Sequence, residues 1–246
     1  MFKTLIIEDN LFLSEALRAA LQAHFPFLAL LQATGIREAL AQVESAPPGL
    51  IFTDMRLPDG NGLEFTRSLR AAGIDSAIVF LTSQADIPEY REAALSSGAD
   101  LFLSKGTASL SDIFGAVESI LASRARVLIA AEDADYREQM DVFFSRGWPS
   151  TVVACTGDWD DARKTADILK PDLVVVRSAA NTEWDRRFRE TIGGVRAGGR
   201  AYVIGICDPG FADACPADHR VENGAEFSQA MVAIINLTLA DRAYRL

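Results

Sequence analysis

The stretch IFTDMRLPDGNGLEF, residues 51–65, decides how the chain is read. Leu50, Ile51 and Phe52 form an apolar run that ends on Asp54, and Pro58, Gly60 and Gly62 then turn the chain. A short, wholly apolar run bounded by turn residues fits a strand buried on both faces of a parallel sheet. Leu63 to Ala71 follow at helical spacing and stop at Gly73. Asp54 therefore stands at the carboxyl end of a buried strand. A second stretch, LVVVRSAANTEW at 173–184, repeats the strand with Arg177 in the aspartate's place.

The same alternation extends in both directions. Strands are predicted at Thr4–Ile7, Phe27–Leu31, Leu50–Thr53, Ala77–Leu81 and Leu101–Leu103. Helices are predicted over Leu13–Leu21, Ile36–Val43, Leu63–Ala71, Tyr90–Ser96 and Leu110–Leu121. The pattern then restarts, with strands at Arg126–Ala130, Thr151–Ala154, Leu173–Val176 and Ala201–Ile206, and helices at Tyr136–Phe144, Asp160–Leu169 and Phe227–Leu239. PPGLIFTD at 47–54 lies over KPDLVVVR at 170–177, at an offset of about 123 residues that holds over several elements. A repeat of domain length implies two copies of one fold. The expected class is α/β: two doubly wound (βα)5 flavodoxin-like domains with parallel sheets, over 1–122 and 126–246. The second is expected to lack or shorten its fourth helix, because DPGFADACPADHR at 208–220 holds two prolines and a glycine where that helix falls. The junction ASRAR, 122–126, is too short for a flexible tether.

Composition narrows the function. Apolar residues make up 49% of the 246, enough for packed cores, so disorder is not expected. A formal net charge of −10 argues against nucleic acid or an anionic membrane as the main partner. Three cysteines without a C-x-x-C fit neither a disulfide framework nor a zinc ribbon. No leader-like segment or membrane-length apolar run is read in the chain, and a cytoplasmic location is expected.

Ligands of an open parallel sheet bind beyond the carboxyl ends of its strands. Glu8 and Asp9 follow the first strand, Asp54 ends the third, Thr82 ends the fourth, and Lys105 follows the fifth. Carboxylates gathered at one edge repel one another unless a cation sits among them, and oxygen-only ligands favour Mg²⁺. A lysine and a hydroxyl beside them suit a phosphoryl group, with a carboxylate as the nucleophile.

The set IIEDN, IFTDMRLPDGNGLE, VFLTS and LFLSKG, in that order, resembles the receiver domain of two-component response regulators over about residues 1–122. The resemblance implies Asp54 as phosphoacceptor, with Glu8 and Asp9 as the acidic pair for Mg²⁺ and the backbone carbonyl of Arg56 as a further metal ligand. It implies Thr82 as the switch hydroxyl, Lys105 as the partner of the phosphoryl group, and Phe102 as the aromatic of the switch. Each residue also has a plain structural reading: acids at a helix start, a turn cap, a helix N-cap, a surface lysine, a core phenylalanine. In the second copy Ile206 is expected over Thr82 and Glu222 over Lys105, with Arg177 facing the acids Glu132 or Asp133. That copy reads as a degenerate receiver. Cys215 and His219 are read as loop residues rather than a metal pair, and Trp159 and Trp184 as packing residues.

The expected function is a response regulator that takes a phosphoryl group from a sensor histidine kinase or phosphotransfer protein. It would signal by contact with a downstream protein or as a homodimer, not through nucleic acid or a membrane. No catalytic activity beyond its own phosphorylation and dephosphorylation is expected. The alternatives are a phosphohydrolase of the haloacid dehalogenase type, which would need a second aspartate where Arg56 stands, and a diverged transcriptional regulator.

Overall fold

The computed structural model describes residues 2–83, 88–148, 151–178, 190, 193, 201–207, 217–222, 231–236 and 238. The chain divides into two compact units between Ile120 and Leu121.

In the first unit, β1 (Phe2–Ile7), β2 (Leu28–Ala33), β3 (Leu50–Thr53), β6 (Ala77–Thr82) and β7 (Leu101–Ser104) form one parallel sheet in the order β2-β1-β3-β6-β7. The central strands β3 and β6 are buried at every position, as LIFT and AIVFLT, apolar up to a closing threonine, require of strands covered on both faces. The helices α1 (Leu11–His24), α2 (Ile36–Ser45), α3 (Gly62–Ala71), α4 (Pro88–Ser96) and α5 (Leu110–Ala122) connect them. Phe80 and Phe102 stack in the core, with ring centroids 6.5 Å apart. Between Asp54 and α3 the chain makes a short antiparallel ribbon, β4 (Arg56–Leu57) against β5 (Gly60–Asn61). Gly62 closes that ribbon against the strand: its amide donates to the Met55 carbonyl at 2.9 Å. A Cβ there would lie 2.2 Å from the Asp54 carbonyl oxygen, so only glycine fits.

The second unit contains β8 (Arg126–Ala130), α6 (Ala134–Gly147), β9 (Val152–Thr156), α7 (Trp159–Leu169), β10 (Leu173–Ser178), β11 (Tyr202–Cys207) and β12 (His219–Glu222). Its parallel sheet runs β12-β11-β10-β8-β9, the same arrangement as in the first unit. Trp148 packs on Phe143 and Phe144, and Trp159 is buried. Met231 and Ile235, in the predicted closing helix, are buried in the same core. The expected loss of the fourth helix falls on residues 208–216, outside the described residues, as do Trp184 and Cys215.

The registers relate the two units position by position. Thr4 pairs with Leu50 as Val127 pairs with Leu173, and α2 and α7 begin at Ile36 and Trp159, a constant offset of 123. Beyond the third strand the offset changes. Thr53 pairs with Phe80, whereas Val176, its counterpart, pairs with Gly205. Cys207 therefore corresponds to Thr82, and Ile206 to Leu81, which corrects the expected alignment by one residue. Thr82 pairs with Ser104 and Cys207 with Glu222, so Glu222 corresponds to Ser104, not to Lys105. The counterpart of Lys105 is residue 223, outside the described residues. At the first strand the offset puts Ala131 in the place of Glu8, Glu132 in that of Asp9 and Asp133 in that of Asn10. Asn10 and Asp133 both cap the following helix, accepting from Leu13 N at 3.2 Å and from Tyr136 N at 3.1 Å.

Candidate functional site

Asp54 follows β3 because the strand's pairing with β1 continues one step past it: its amide donates to the Ile7 carbonyl at 3.3 Å. The carboxylate is held at both oxygens. Met55 N–H donates to Oδ1 at 2.6 Å, and Lys105 Nζ donates to Oδ2 at 2.5 Å. The same ammonium lies 2.5 Å from Glu8 Oε2. Glu8 follows β1 and is buried, and its other oxygen accepts from Asn10 N–H at 3.2 Å. Lys105 is fixed in turn by its backbone, whose amide donates to the Thr82 carbonyl at 2.9 Å. One lysine thus links the ends of β1, β3 and β6.

Burial works to lower the Lys105 pKa, but the hydrogen bonds and charges of Asp54 and Glu8 outweigh it and hold the ammonium above its ordinary value. The group stays protonated through the neutral range. Two carboxylates share this one cation.

Of the residues read from the sequence, the structure brings together Glu8, Asp54 and Lys105. Thr82 is buried beside them at the end of β6, and Phe102 is buried under the sheet edge against Phe80. Asp9 and Arg56 are exposed at the rim. Among the described residues no group of three or more histidine, cysteine, aspartate or glutamate side chains is arranged around an ion position. The donor set still fits a hard divalent cation: it is oxygen only, and two of its carboxylates already converge on a single positive charge.

In the second unit Arg177 occupies the position of Asp54. Its Nη1 lies 3.1 Å from Asp133 Oδ2, and its Cζ lies 4.8 Å from the centroid of the Tyr136 ring. Asp133 has a lowered pKa, chiefly because the Tyr136 amide donates to it, with the Arg177 charge helping. Burial pushes the Tyr136 hydroxyl well above its ordinary value, against the Arg177 charge. Glu132 is placed otherwise: its backbone carbonyl accepts from Arg137 Nη1 at 2.7 Å, as does that of Ala131 at 2.6 Å. His219 meets Tyr202, hydroxyl to Nε2, at 2.9 Å.

Sequence reasoning passed over Arg137, Tyr136 and, in the first unit, Asp59. Asp59 sits at the tip of the β4–β5 ribbon and accepts from Ile36 N–H at 2.7 Å and Arg37 N–H at 2.9 Å, capping α2 from a distance. The one available signal was local: Gly35, at the N-cap of α2, has no side chain to cap it.

Residues 4–118 match the family described as the response regulator receiver domain. The KDP operon transcriptional regulatory protein KdpE of Escherichia coli (strain K12) is 35% identical over 105 residues, 43% of this chain and 45% of that protein. Response regulator MprA of Mycobacterium tuberculosis (strain H37Rv) is 32% identical over 143 residues, 58% of this chain and 57% of the relative. The chain therefore spans about half the length of the curated relatives it matches. Among solved structures, the non-phosphorylated HemR receiver domain of Leptospira biflexa aligns with a TM-score of 0.44 at 28% identity, covering 48% of this chain and 93% of that one.

Proposed function

We propose that this chain, whose residues 4–118 are a response regulator receiver domain, accepts a phosphoryl group on Asp54 and signals through protein–protein contact. The observation that carries the reading is the Asp54 carboxylate at a strand end, held between the Met55 amide and the Lys105 ammonium. A sensor histidine kinase or a phosphotransfer protein would be the donor. In the transfer the N–P bond to the donor histidine breaks as an O–P bond to Asp54 forms, and the imidazole leaves with the electron pair. Attack requires an in-line, fixed oxygen, and the Met55 and Lys105 contacts supply that orientation before the donor arrives. Lys105 remains beside the new acyl phosphate and carries a positive charge to its oxygens. Mg²⁺, held by Asp54, Glu8, Asp9 and the Arg56 carbonyl, would neutralise charge on the transferring group. Thr82 and Phe102 would couple the phosphoryl group to the core.

The described residues beyond the receiver build a parallel α/β unit, and the net charge is −10; both favour a protein target over nucleic acid. Arg177 in the acceptor's position supports a second unit that takes no phosphoryl group, its edge occupied by the Arg177–Asp133 pair. The chain acts as a switch rather than an enzyme, and no described helix is long and apolar enough to cross a membrane.

The test is to incubate the full chain with Mg²⁺ and acetyl phosphate, or with a cognate kinase, and to map the adduct by mass spectrometry after borohydride reduction. The expected site is Asp54, and a chain unmodified by either donor overturns the reading. A pull-down with and without phosphodonor, beside a gel-shift assay, separates a protein target from a nucleic acid one.

Arg56 is exposed two residues beyond Asp54, on the ribbon that borders the site. We propose that its long cationic side chain covers the acyl phosphate from water. Arg56→Ala is expected to lose its label several-fold faster than wild type, on the order of the 1 kcal/mol that one exposed charge contributes. The decay of purified phosphoprotein checks this, and an equal or slower decay refutes it.

A further inference from the structure

We propose that Asp59 is a positioning residue for the acceptor site, fastening the loop that follows Asp54 to the start of α2. The proposal rests on the reading of Asp54 as the phosphoacceptor.

The internal repeat supplies the argument. Gly35 and Asp158 are the N-cap residues of α2 and α7 and stand at the common offset of 123. Their backbones do the same work: the Gly35 carbonyl accepts from Ala39 N at 3.1 Å, and the Asp158 carbonyl accepts from Ala162 N at 2.9 Å. The side chains differ. Asp158 caps its own helix, its Oδ1 accepting from Asp160 N at 2.8 Å and from Asp161 N at 3.1 Å. Gly35 caps nothing: the amide of Arg37, which corresponds to that of Asp160, goes instead to Asp59, more than twenty residues further along the chain, and the neighbouring amide of Ile36 goes with it. In the unit that keeps Asp54 the helix cap has been moved onto the acceptor loop. In the unit with Arg177 in that place the cap is local.

Gly35 is shaped to this arrangement. Its φ of −168° is ordinary extended backbone, open to any residue. What requires glycine is space, because a Cβ there would lie 2.5 Å from Asp59 Oδ1. The ribbon is seated closely as well: a Cβ on Gly60 would lie 2.7 Å from Ile36 Cδ1. Asp59 carries a lowered pKa, first from the Arg37 amide and then from the Ile36 amide, so the link is a charged one at neutral pH. The ribbon fastened in this way runs directly from Asp54 and carries Arg56, whose carbonyl is the expected fourth oxygen toward Mg²⁺.

The two duties of Asp59, capping and positioning, separate in a pair of variants of the full chain. Asp59→Ala removes both. Adding Gly35→Asp restores a local cap on the pattern of Asp158, in space that the lost carboxylate has vacated. Three quantities are measured: the urea midpoint, Mg²⁺ affinity by calorimetry with the metal alone, and the rate of labelling by acetyl phosphate. Asp59→Ala is expected to lower the midpoint and to weaken Mg²⁺ binding about tenfold, the scale of lost outer contacts at metal sites. The double variant should recover the midpoint while affinity and labelling rate stay low. Recovery of all three would reduce Asp59 to a helix cap and overturn the proposal, as would an Asp59→Ala chain with wild-type affinity and rate. A wild-type chain that labels elsewhere than Asp54 defeats the functional reading instead, and the Mg²⁺ titration still decides the positioning role. A wild-type chain that binds no Mg²⁺ overturns the proposal.

Discussion

Alanine at position 54 is expected to reduce phosphoryl uptake to background over the whole chain, the second unit included. The substitution removes the carboxylate held between the Met55 amide and the Lys105 ammonium. Glu8 shares that ammonium and also accepts from a backbone amide, but the Asn10 contact is 3.2 Å against the 2.6 Å from Met55 to Asp54, so the Asp54 carboxylate is the more tightly fixed of the two. In the second unit the corresponding position holds Arg177, whose guanidinium stays charged and is no nucleophile at neutral pH. Radiolabelled acetyl phosphate with Mg²⁺, followed by limited proteolysis of the labelled chain, checks both halves in one measurement. Label remaining on a fragment from residues 126–246 would show that the repeat has kept an acceptor of its own.

Lys105→Met is expected to cost about 3 kcal/mol in the absence of divalent cations, the lower end of the penalty for breaking a buried ion pair. The lysine, Glu8 and Asp54 side chains are only 15%, 7% and 11% exposed, so solvent screens them little. Methionine keeps most of the volume and removes the charge, leaving two carboxylates facing each other. A divalent ion should then recover part of the loss, so the urea midpoint of the variant should rise more steeply with Mg²⁺ than that of wild type. The pH dependence has a definite sign. The raised Lys105 pKa means that its contribution is fully present below the unfolded lysine value and is lost as pH climbs through the higher folded one. Wild type and variant should therefore differ across the neutral range and converge only in strong alkali. A variant as stable as wild type in chelator, measured by urea denaturation at neutral pH, would refute the reading of Lys105 as the resident counter-charge.

Much of the architecture was legible because the central strands advertise themselves. LIFT, AIVFLT and LVVV are apolar at nearly every position and are buried accordingly. β12 was not legible. Its sequence is HRVE, in which Val221 is buried while His219 and Arg220 are exposed, and among the described residues its only paired neighbour is β11. An edge strand covered in this way carries little apolar signal. The second unit's register was misread by one residue for a related reason. YVIGIC in β11 is apolar along its length and offers no alternation to anchor a count, and the offset between the units shifts there from 123 to 125.

The meeting of Glu8, Asp54 and Lys105 was legible at the ends of the strands, where these residues follow apolar runs. Asp59 was not, because its partners are the amides of another helix, remote in sequence. A cap of this kind leaves no mark except the glycine it makes necessary at position 35.

The aromatic packing of the second unit has a practical side. All three tryptophans of the chain, Trp148, Trp159 and Trp184, lie beyond residue 122, and the receiver has none. Trp148 rests on Phe143 and Phe144 and is half-buried, and Trp159 is buried. The emission of Trp148 and Trp159 is expected to redden when the second unit opens, and the receiver, with no tryptophan of its own, must be followed by circular dichroism or by a tryptophan placed there. One cuvette thus holds two thermometers, and a ligand of the proposed site at Asp54 that shifts the emission curve has been felt by the second unit.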